Sequence, residues 1–468
     1  MTTAHGAPSD HDHAAPRARR LGRDPVTDET VARLRVQART DPASGLPALA
    51  EALRGRAYGR PRPRPEDAVP FLEESAGIYR ALVADGGTEH LAAAARALSS
   101  LALHHSLAHA DGPALAARQE AADLASRAEA DQPVEGLGRA AVLHADLAHG
   151  LAEAGRFDEA VDAARAVADR SRAVTEAGGS DLTWRLLDLT VLLRLADRTE
   201  EAVATEHEAL AWLREGRTEP ARSPVPALRA AGAALWFADL GRTAQSHRLL
   251  ADAARSCERL PARGDAGDFG FNEGLRSALF ARSGVRDEQA AADAPDPLAL
   301  GVDPGRRLQP VLGLDLHHWS FSLRASFEDG LVTLARAVEA ITGKPEPTDR
   351  LPDEEGPSEH ADDPLPLPED RDLLATLGTL TRRLDLRRSV RGDHPSYYAH
   401  LTLPRLRRSV RIERRLHATG PAHDTRRLVR ALTDLAMAQL VHGDHAGATG
   451  TLHEAHALAV RTEKPAGR

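Results

Sequence analysis

Apolar residues recur along much of this chain at the three- and four-residue spacing of amphipathic helices. Leu147, Ala148 and Leu151 share one face of a predicted helix, and Ala160 and Val167 share one face of the next. Only a short polar connection separates the two stripes. The pattern therefore predicts an antiparallel pair of helices that pack through these faces.

The connection inside this pair belongs to a phrase that returns along the chain. It reads Ala-Gly-Arg-Phe-Asp-Glu-Ala-Val at 154–161, and related phrases occupy 197–203, 240–246 and 283–289, with a fragment at 65–69. Each phrase predicts a tight turn followed by the first residues of a helix. A unit that recurs with a nearly fixed period indicates an array of helical repeats.

Small residues mark the predicted crossings of these helix pairs. A bulky or branched side chain there would push the two helices apart, so a column of small residues is expected near the start of each second helix. At intervals of 42 to 48 residues, this column contains Ala68, Ala116, Ala160, Ala202, Ser246 and Gln289, with a late return at Ala448. A facing column twelve residues upstream contains His104, Ala148, Thr190, Ala234, Ser277 and Ala436.

The helix pair around 147–160 resembles the tetratricopeptide repeat (TPR), whose usual unit has about 34 residues. The period here resembles the longer variant, of about 42 to 45 residues, found in many actinobacterial repeat proteins. The resemblance covers roughly residues 45–295 and 423–462. It implies an all-α, right-handed TPR-like α-solenoid of helix-turn-helix repeats, with a concave groove that binds a protein or peptide.

Composition divides the chain into five segments. We expect a disordered tail over 1–25, the repeat array over 26–300 and a degenerate helical repeat over 301–343. Residues 344–372 form a predicted acidic, proline-rich linker, because residues 345–372 contain eleven acidic residues and seven prolines. Residues 373–468 form a predicted Arg-rich helical segment followed by a TPR-like repeat that caps the array.

Few residues of this sequence are typical of catalytic or cofactor sites. Cys257 is the only cysteine, which excludes an internal disulfide and a multi-cysteine zinc site. His105 and His109 share a helix face without further ligands, and the spacing of His453 and His456 is not that of a metalloprotease. Gly343-Lys344 lacks the context of a phosphate-binding loop. We therefore expect no enzyme activity, no metal and no cofactor.

Neither a membrane-spanning run nor a signal sequence is visible. No apolar stretch reaches the roughly 18 residues that a membrane helix needs, and the arginines at 19–20 are not followed by an apolar segment. These features predict a cytoplasmic protein without a membrane partner.

The inner face of a curved array is the first candidate binding surface. It would be built from the first helices of the pairs, and charged or histidine side chains on those helices could contact a polar peptide. The candidates are His104, Asp146, His149, Arg185, Asp188 and Arg194. The alternative is an ordinary solvated helix face.

The Arg-rich segment 373–420 is the second candidate surface. It contains eleven arginines against three acidic residues, and the motif Arg-Arg-Ser-Val-Arg occurs twice, at 387–391 and 407–411. It could meet phosphates, an acidic partner or the acidic linker of its own chain; nucleic acid is disfavoured because no aromatic residues interleave with the arginines. The proposed basic surface comprises Arg387, Arg388, Arg407, Arg408 and Arg411.

These observations favour a non-catalytic scaffold that binds a protein or peptide in the concave groove. The alternative is a peptide-responsive sensor in which the ligand changes the curvature of the solenoid and residues 373–420 form the output surface. The sequence does not identify the partner.

Overall fold

The structure, a computed structural model, describes residues 26–59, 63–108, 110–131, 133–176, 182–214, 223–264, 334–346, 367–389, 399–420 and 424–461. The tail, the phrase at 283–289 and most of segments 301–343 and 344–372 lie outside these ranges. The α-helices with defined bounds are α1 (Asp28–Thr40), α2 (Pro42–Ala57), α3 (Pro65–Ala84), α4 (Leu91–Leu107), α5 (Asp111–Asp131), α6 (Pro133–Glu153), α7 (Phe157–Glu176), α8 (Leu182–Leu195), α9 (Thr199–Arg214), α10 (Val225–Asp239), α11 (Thr243–Glu258), α12 (Arg371–Ser389), α13 (Ala399–Thr419), α14 (Asp424–Val441) and α15 (His445–Arg461).

The all-α prediction is confirmed. Within the described ranges, the regular secondary structure is helical, and only an isolated bridge between Arg263 and Asp444 is extended. The chain divides into two compact units, Met1–Gly136 and Leu137–Arg468. In the first unit, α1 to α5 pack in sequence, each against the next.

In the second unit, helices that follow one another also pack together, as between α7 and α8, α8 and α9, and α10 and α11. Within each helix pair, the two helices are distinguished by their order in the chain. We call α2, α4, α6, α8, α10 and α14 first helices, and α1, α3, α5, α7, α9, α11 and α15 second helices.

The recurring phrase forms the turn that the sequence predicts. Gly155 and Gly241 both have a φ of 72°, and Gly443 has a φ of 68° at the corresponding turn before α15. Asp197 occupies this position before α9 with a φ of 57°, which is unusual for a residue with a side chain. A left-handed residue thus ends each of these first helices, and the second helix begins two residues later.

Among the described residues, the predicted crossing columns are confirmed with one exception; Ser277 and Gln289 lie outside the described residues. Ala68, Ala160, Ala202 and Ala448 are completely buried, as the close approach of two helices requires. Their described counterparts on the first helices, such as Ala148 and Ala234, are also buried; the complete set is His104, Ala148, Thr190, Ala234 and Ala436.

Ala116 is the exception, because it is exposed. The buried positions in α5 are Ala114 and Ala117, so the register assigned to this helix was wrong by one or two residues. The error arose because α5 is rich in alanine at many positions, and alanine spacing alone does not fix which face is inside.

Arginine–carboxylate pairs connect neighbouring second helices on the outside of each unit. In the first unit, Arg35 pairs with Glu74 and Arg80 with Glu120, linking α1 to α3 and α3 to α5. In the second unit, α7 is linked to α9 by Arg165–Glu201 and Arg172–Glu208, and α9 to α11 by Arg214–Asp252 and Glu200–Arg242. Exposed pairs of this kind contribute only about 0–1 kcal/mol each, so we infer that they align the helices more than they stabilise them.

The two links between α7 and α9 join residues that are 36 positions apart in both cases. A constant offset means that these second helices run parallel, as in a regular repeat array. The last helix pair, α14–α15, breaks this rule.

The last helix pair, α14–α15, packs alongside α10–α11, with its helices running in the opposite direction. Cys257, at the end of α11, has its thiol beside the hydroxyl of Thr449, near the start of α15. The residues after α11 bind the turn before α15, with Gly264 donating its backbone N–H to the carbonyl of Gly443 at 2.9 Å. The side chains of α11 and α15 therefore meet in antiparallel order.

The first helices of these two pairs follow the same order. Asp239, at the end of α10, forms an ion pair with Arg430 in the first half of α14. Gly232, in the middle of α10, lies beside Met437 near the end of α14. Both helices of the last pair therefore run antiparallel to their counterparts, α14 to α10 and α15 to α11.

This arrangement places the last helix pair between two neighbours. One side of α14–α15 packs on α10–α11, and α13 packs against α14 with α12 beside it. The last two helices of the chain therefore cover one side of the α10–α11 pair, and α12 and α13 lie on the far side of α14.

Replacing Ala160 with leucine should destabilise the second unit. Ala160 is completely buried at a helix crossing, and overpacking a close contact costs about 1–3 kcal/mol. Ala116→Leu is the matched control, because Ala116 is exposed and a surface change is usually within about 0.5 kcal/mol. Urea denaturation followed by circular dichroism measures both, and equal effects would contradict the packing described.

A glycine-to-alanine change should lower the free energy of unfolding at a left-handed turn and raise it inside a helix. Gly155→Ala and Gly241→Ala should each lower the free energy of unfolding by about 1–2 kcal/mol, because open space surrounds both residues and only the backbone conformation is penalised. Gly77→Ala, in the interior of α3 with no atom nearby, should raise it by roughly 0.5–1 kcal/mol. Losses of similar size at all three positions would argue against the turn geometry.

Candidate functional site

The predicted groove residues belong to first helices, but they are more buried than an open groove requires. Asp146 and His149 lie on α6, and Arg185, Asp188 and Arg194 lie on α8, all in the second unit. His149, Arg185 and Asp188 are buried, whereas Asp146 and Arg194 are half-buried. Of these five side chains, Asp146 and Arg194 are accessible enough to contact a ligand directly, and the other three belong to the interior.

His104 belongs to the first unit and has a structural environment. Its ring is 2% exposed, its Nδ1 lies 2.9 Å from the carbonyl oxygen of Ser100, and its edge faces the ring of Tyr58 at 5.1 Å between centroids. A side chain held in this way is part of the helix packing. The sequence analysis assigned His104 both to the crossing column and to the groove. Its buried position agrees with the crossing column.

Arg194 lies over an aromatic ring that the sequence analysis did not select. Its guanidinium carbon is 4.6 Å from the centroid of Trp236, which connects α8 to α10, the first helices of consecutive pairs. The indole of Trp236 is largely buried, and its ring also contacts Phe237 at 5.2 Å. The indole therefore supports the guanidinium of Arg194 from the interior by a cation–π contact, and Arg194 is the member of this pair that a ligand can reach.

A buried ion pair joins α9 to α10 next to this face. Both guanidinium nitrogens Nε and Nη2 of Arg229 donate to the carboxylate of Glu206, each at 2.9 Å. The two side chains are 4% and 5% exposed, so each charge depends on the other in a region with little water. The sequence contained no signal for this pair because 23 residues separate its members.

The predicted basic surface needs correction at Arg408. Its guanidinium is 12% exposed and binds Glu346 at 2.7 Å and the fully buried Asp385 at 3.2 Å. The neighbouring Ser409 is buried and donates its hydroxyl to Asp385. Arg408 was assigned to the surface because its acidic partners lie 23 and 62 residues away along the chain.

The other members of that surface have different positions. Arg407 and Arg411 are exposed on α13, as predicted. Arg387 and Arg388 lie on α12, but their side chains are outside the described part of the structure.

The single cysteine is a buried packing residue. Cys257 is 1% exposed on α11, and burial raises the pKa of its thiol to about 12. A thiol with this pKa is almost entirely protonated near neutral pH and is a poor nucleophile. Among the described residues, no group of three or more His, Cys, Asp and Glu side chains is arranged to hold a metal ion.

Comparison with known proteins gives no family. No protein-family model matches the chain, and no curated protein matches it. Two solved structures align with 92% of this chain: a structure of Naa15/Naa10 bound to HypK-THB, at 14% identity and a TM-score of 0.30, and a circular tandem repeat protein with novel repeat topology and enhanced subunit contact surfaces, at 15% identity and a TM-score of 0.25.

The alignment covers 61% of the first of these chains and 95% of the second. Likeness at this level carries no argument about function. In the part of the chain that the structure describes, no helix is both long and apolar enough to cross a membrane.

Removing one member of the buried pair should be more damaging than removing both. Arg229→Met leaves the carboxylate of Glu206 buried without its main partner, which should cost about 3–5 kcal/mol. The double variant Glu206→Leu/Arg229→Met replaces two charges with apolar side chains and should recover most of this loss. Urea denaturation of the three proteins checks the order, and a double variant less stable than Arg229→Met would contradict it.

Proposed function

We propose that this protein is a non-catalytic scaffold that binds a protein or peptide through the first helices of its second unit. This proposal includes membership of the tetratricopeptide repeat family, a cytoplasmic location and the absence of an enzyme activity. The observation that carries it is Arg194 stacked on Trp236 across two consecutive first helices, with the half-buried Asp146 on the preceding first helix.

The two faces of the helix pairs differ in what their charged residues do. On the second helices, the arginines and carboxylates described above pair with one another, which leaves that face largely neutralised. On the first helices, Asp146 and Arg194 are half-buried, and the guanidinium of Arg194 lies over the ring of Trp236. A polypeptide ligand would find one acidic and one basic hydrogen-bonding side chain on the first-helix face.

The rigidity of the helix pairs supports binding rather than catalysis. The alanine crossings hold the helices in fixed positions, so the receptor loses little conformational entropy when a ligand binds. Trp and Arg are also the side chains that most often dominate the energy of such interfaces.

Charge reversal on each face tests this proposal. Asp146→Arg and Arg194→Glu change the first-helix face, and Asp162→Arg and Arg255→Glu make the same changes at exposed positions on the second helices α7 and α11. Each variant is used to capture partners from the native lysate, which are quantified by mass spectrometry, and melting curves check folding.

We expect the first-helix variants to lose the partners that the intact protein captures and the second-helix variants to keep them. Partners that are lost only with Asp162→Arg or Arg255→Glu would place the binding surface on the other face and contradict the proposal.

A further inference from the structure

Helix α13 carries a row of three exposed arginines. Arg407, Arg411 and Arg415 are exposed and lie four residues apart, so they share one face of the helix and are spaced by about 6 Å. None of the three forms an ion pair with a residue that the structure describes. We call these three arginines the basic ridge.

Carboxylates on α13 and on helices that contact it are engaged by other arginines: Asp385 of α12 by Arg408 and Asp434 of α14 by Arg382. Glu454 is the only carboxylate of α15 and pairs with Arg414 of α13. The one carboxylate of α13 itself, Glu413, is buried and bound to Arg427 of α14. By contrast, α9 supplies Glu200, Glu201 and Glu208 to arginines of its neighbours, so the ridge differs from the charge-balanced contacts between second helices.

The described residues on either side of the acidic segment both contact this same helix. Before the segment, Glu346 is bound to Arg408 in the middle of α13, next to the first arginine of the ridge. After the segment, Arg371 contacts Thr419 at the end of α13 at 3.3 Å. Arg408 and Thr419 are about 16 Å apart along the helix axis; Arg411 and Arg415 lie between them, and Arg407 directly precedes Arg408.

The chain between these attachment points is long enough and has the complementary charge. Residues 347–370 contain nine carboxylates and one arginine. Twenty-four residues can extend to about 80 Å, so a path along the ridge is easily reached. In an extended chain, alternate residues are roughly 6.6 Å apart, which is close to the spacing of the arginines.

We propose that the basic ridge is a docking site for residues 349–363 of the same chain. Tethering at both ends gives this acidic segment an effective concentration on the order of millimolar at the ridge. It is held by exposed charges, so the contact weakens as ionic strength rises. An acidic segment of another protein would bind the ridge only by displacing it. This proposal does not depend on the first-helix face.

The test uses a fluorescent peptide of residues 349–363 and the full-length protein at low salt. In a neutral-segment variant, the seven carboxylates of the internal segment are replaced by amides, which keeps the tether and removes its charge. The replacements are Asp349→Asn, Asp353→Asn, Glu354→Gln, Glu355→Gln, Glu359→Gln, Asp362→Asn and Asp363→Asn.

Fluorescence anisotropy should show that the neutral-segment variant binds the peptide at least about tenfold more tightly than the intact chain, whose own segment competes at millimolar effective concentration. Adding Arg407→Glu, Arg411→Glu and Arg415→Glu to the neutral-segment variant should abolish this binding. The matched control reverses three exposed arginines of the first unit, Arg33, Arg39 and Arg96, and should leave binding within twofold.

Equal binding of the peptide to the intact and neutral-segment chains would overturn the proposal, as would unchanged binding after reversal of the ridge. A single-stranded DNA of similar charge forms the last arm. If it binds the intact chain and the peptide does not displace it, the ridge is a nucleic-acid surface and the proposal is wrong.

Discussion

The antiparallel packing of α15 against α11 is the contact on which the second unit depends. It determines where α12 to α14 lie, because α14 is paired with α15, α13 packs on α14, and α12 packs on α13. Without it, the end of α10–α11 would expose an apolar face. Cys257 near the end of α11 and Thr449 near the start of α15 meet in this contact.

This contact also explains the division of charge in the second unit. Parallel second helices can repeat the same arginine–carboxylate pair at a constant offset, as α7 and α9 do. An antiparallel partner presents a different order of side chains, and between α11 and α15 the pairing changes to Glu258 with His453 at 2.8 Å. On the next helix over, Arg414 of α13 pairs with Glu454 of α15. The basic ridge on α13 is thus a consequence of where the regular array ends.

Local features of the fold were predictable from the sequence, and long-range ones were not. The turn at Gly155 and the crossing at Ala160 follow from residue types within a few positions, because left-handed backbone and close helix contact each require particular side chains. The position of Arg408 depends on Asp385 and Glu346, which lie in distant parts of the chain. The sense of α15 against α11 has no sequence signal, since the same apolar stripe would pack in either direction.

The candidate site shows the same limit. The sequence correctly placed Asp146 and Arg194 on first helices, because helical periodicity assigns faces. It did not predict that His149, Arg185 and Asp188 are buried, because their burial depends on neighbouring helices. Trp236 was missed because a lone tryptophan on an apolar helix has the pattern of an ordinary core residue, and its importance comes from Arg194 on another helix.

The sense in which α15 packs on α11 can be measured directly with the native cysteine. Since the thiol of Cys257 contacts the hydroxyl of Thr449, the Thr449→Cys variant should form an intramolecular disulfide under mild oxidation. The matched control is Ala459→Cys, a buried position near the other end of α15, which Cys257 would approach only if the helices ran parallel. A disulfide with residue 449 and none with residue 459, identified by peptide mass spectrometry, is the result expected; the reverse pattern would contradict the antiparallel packing.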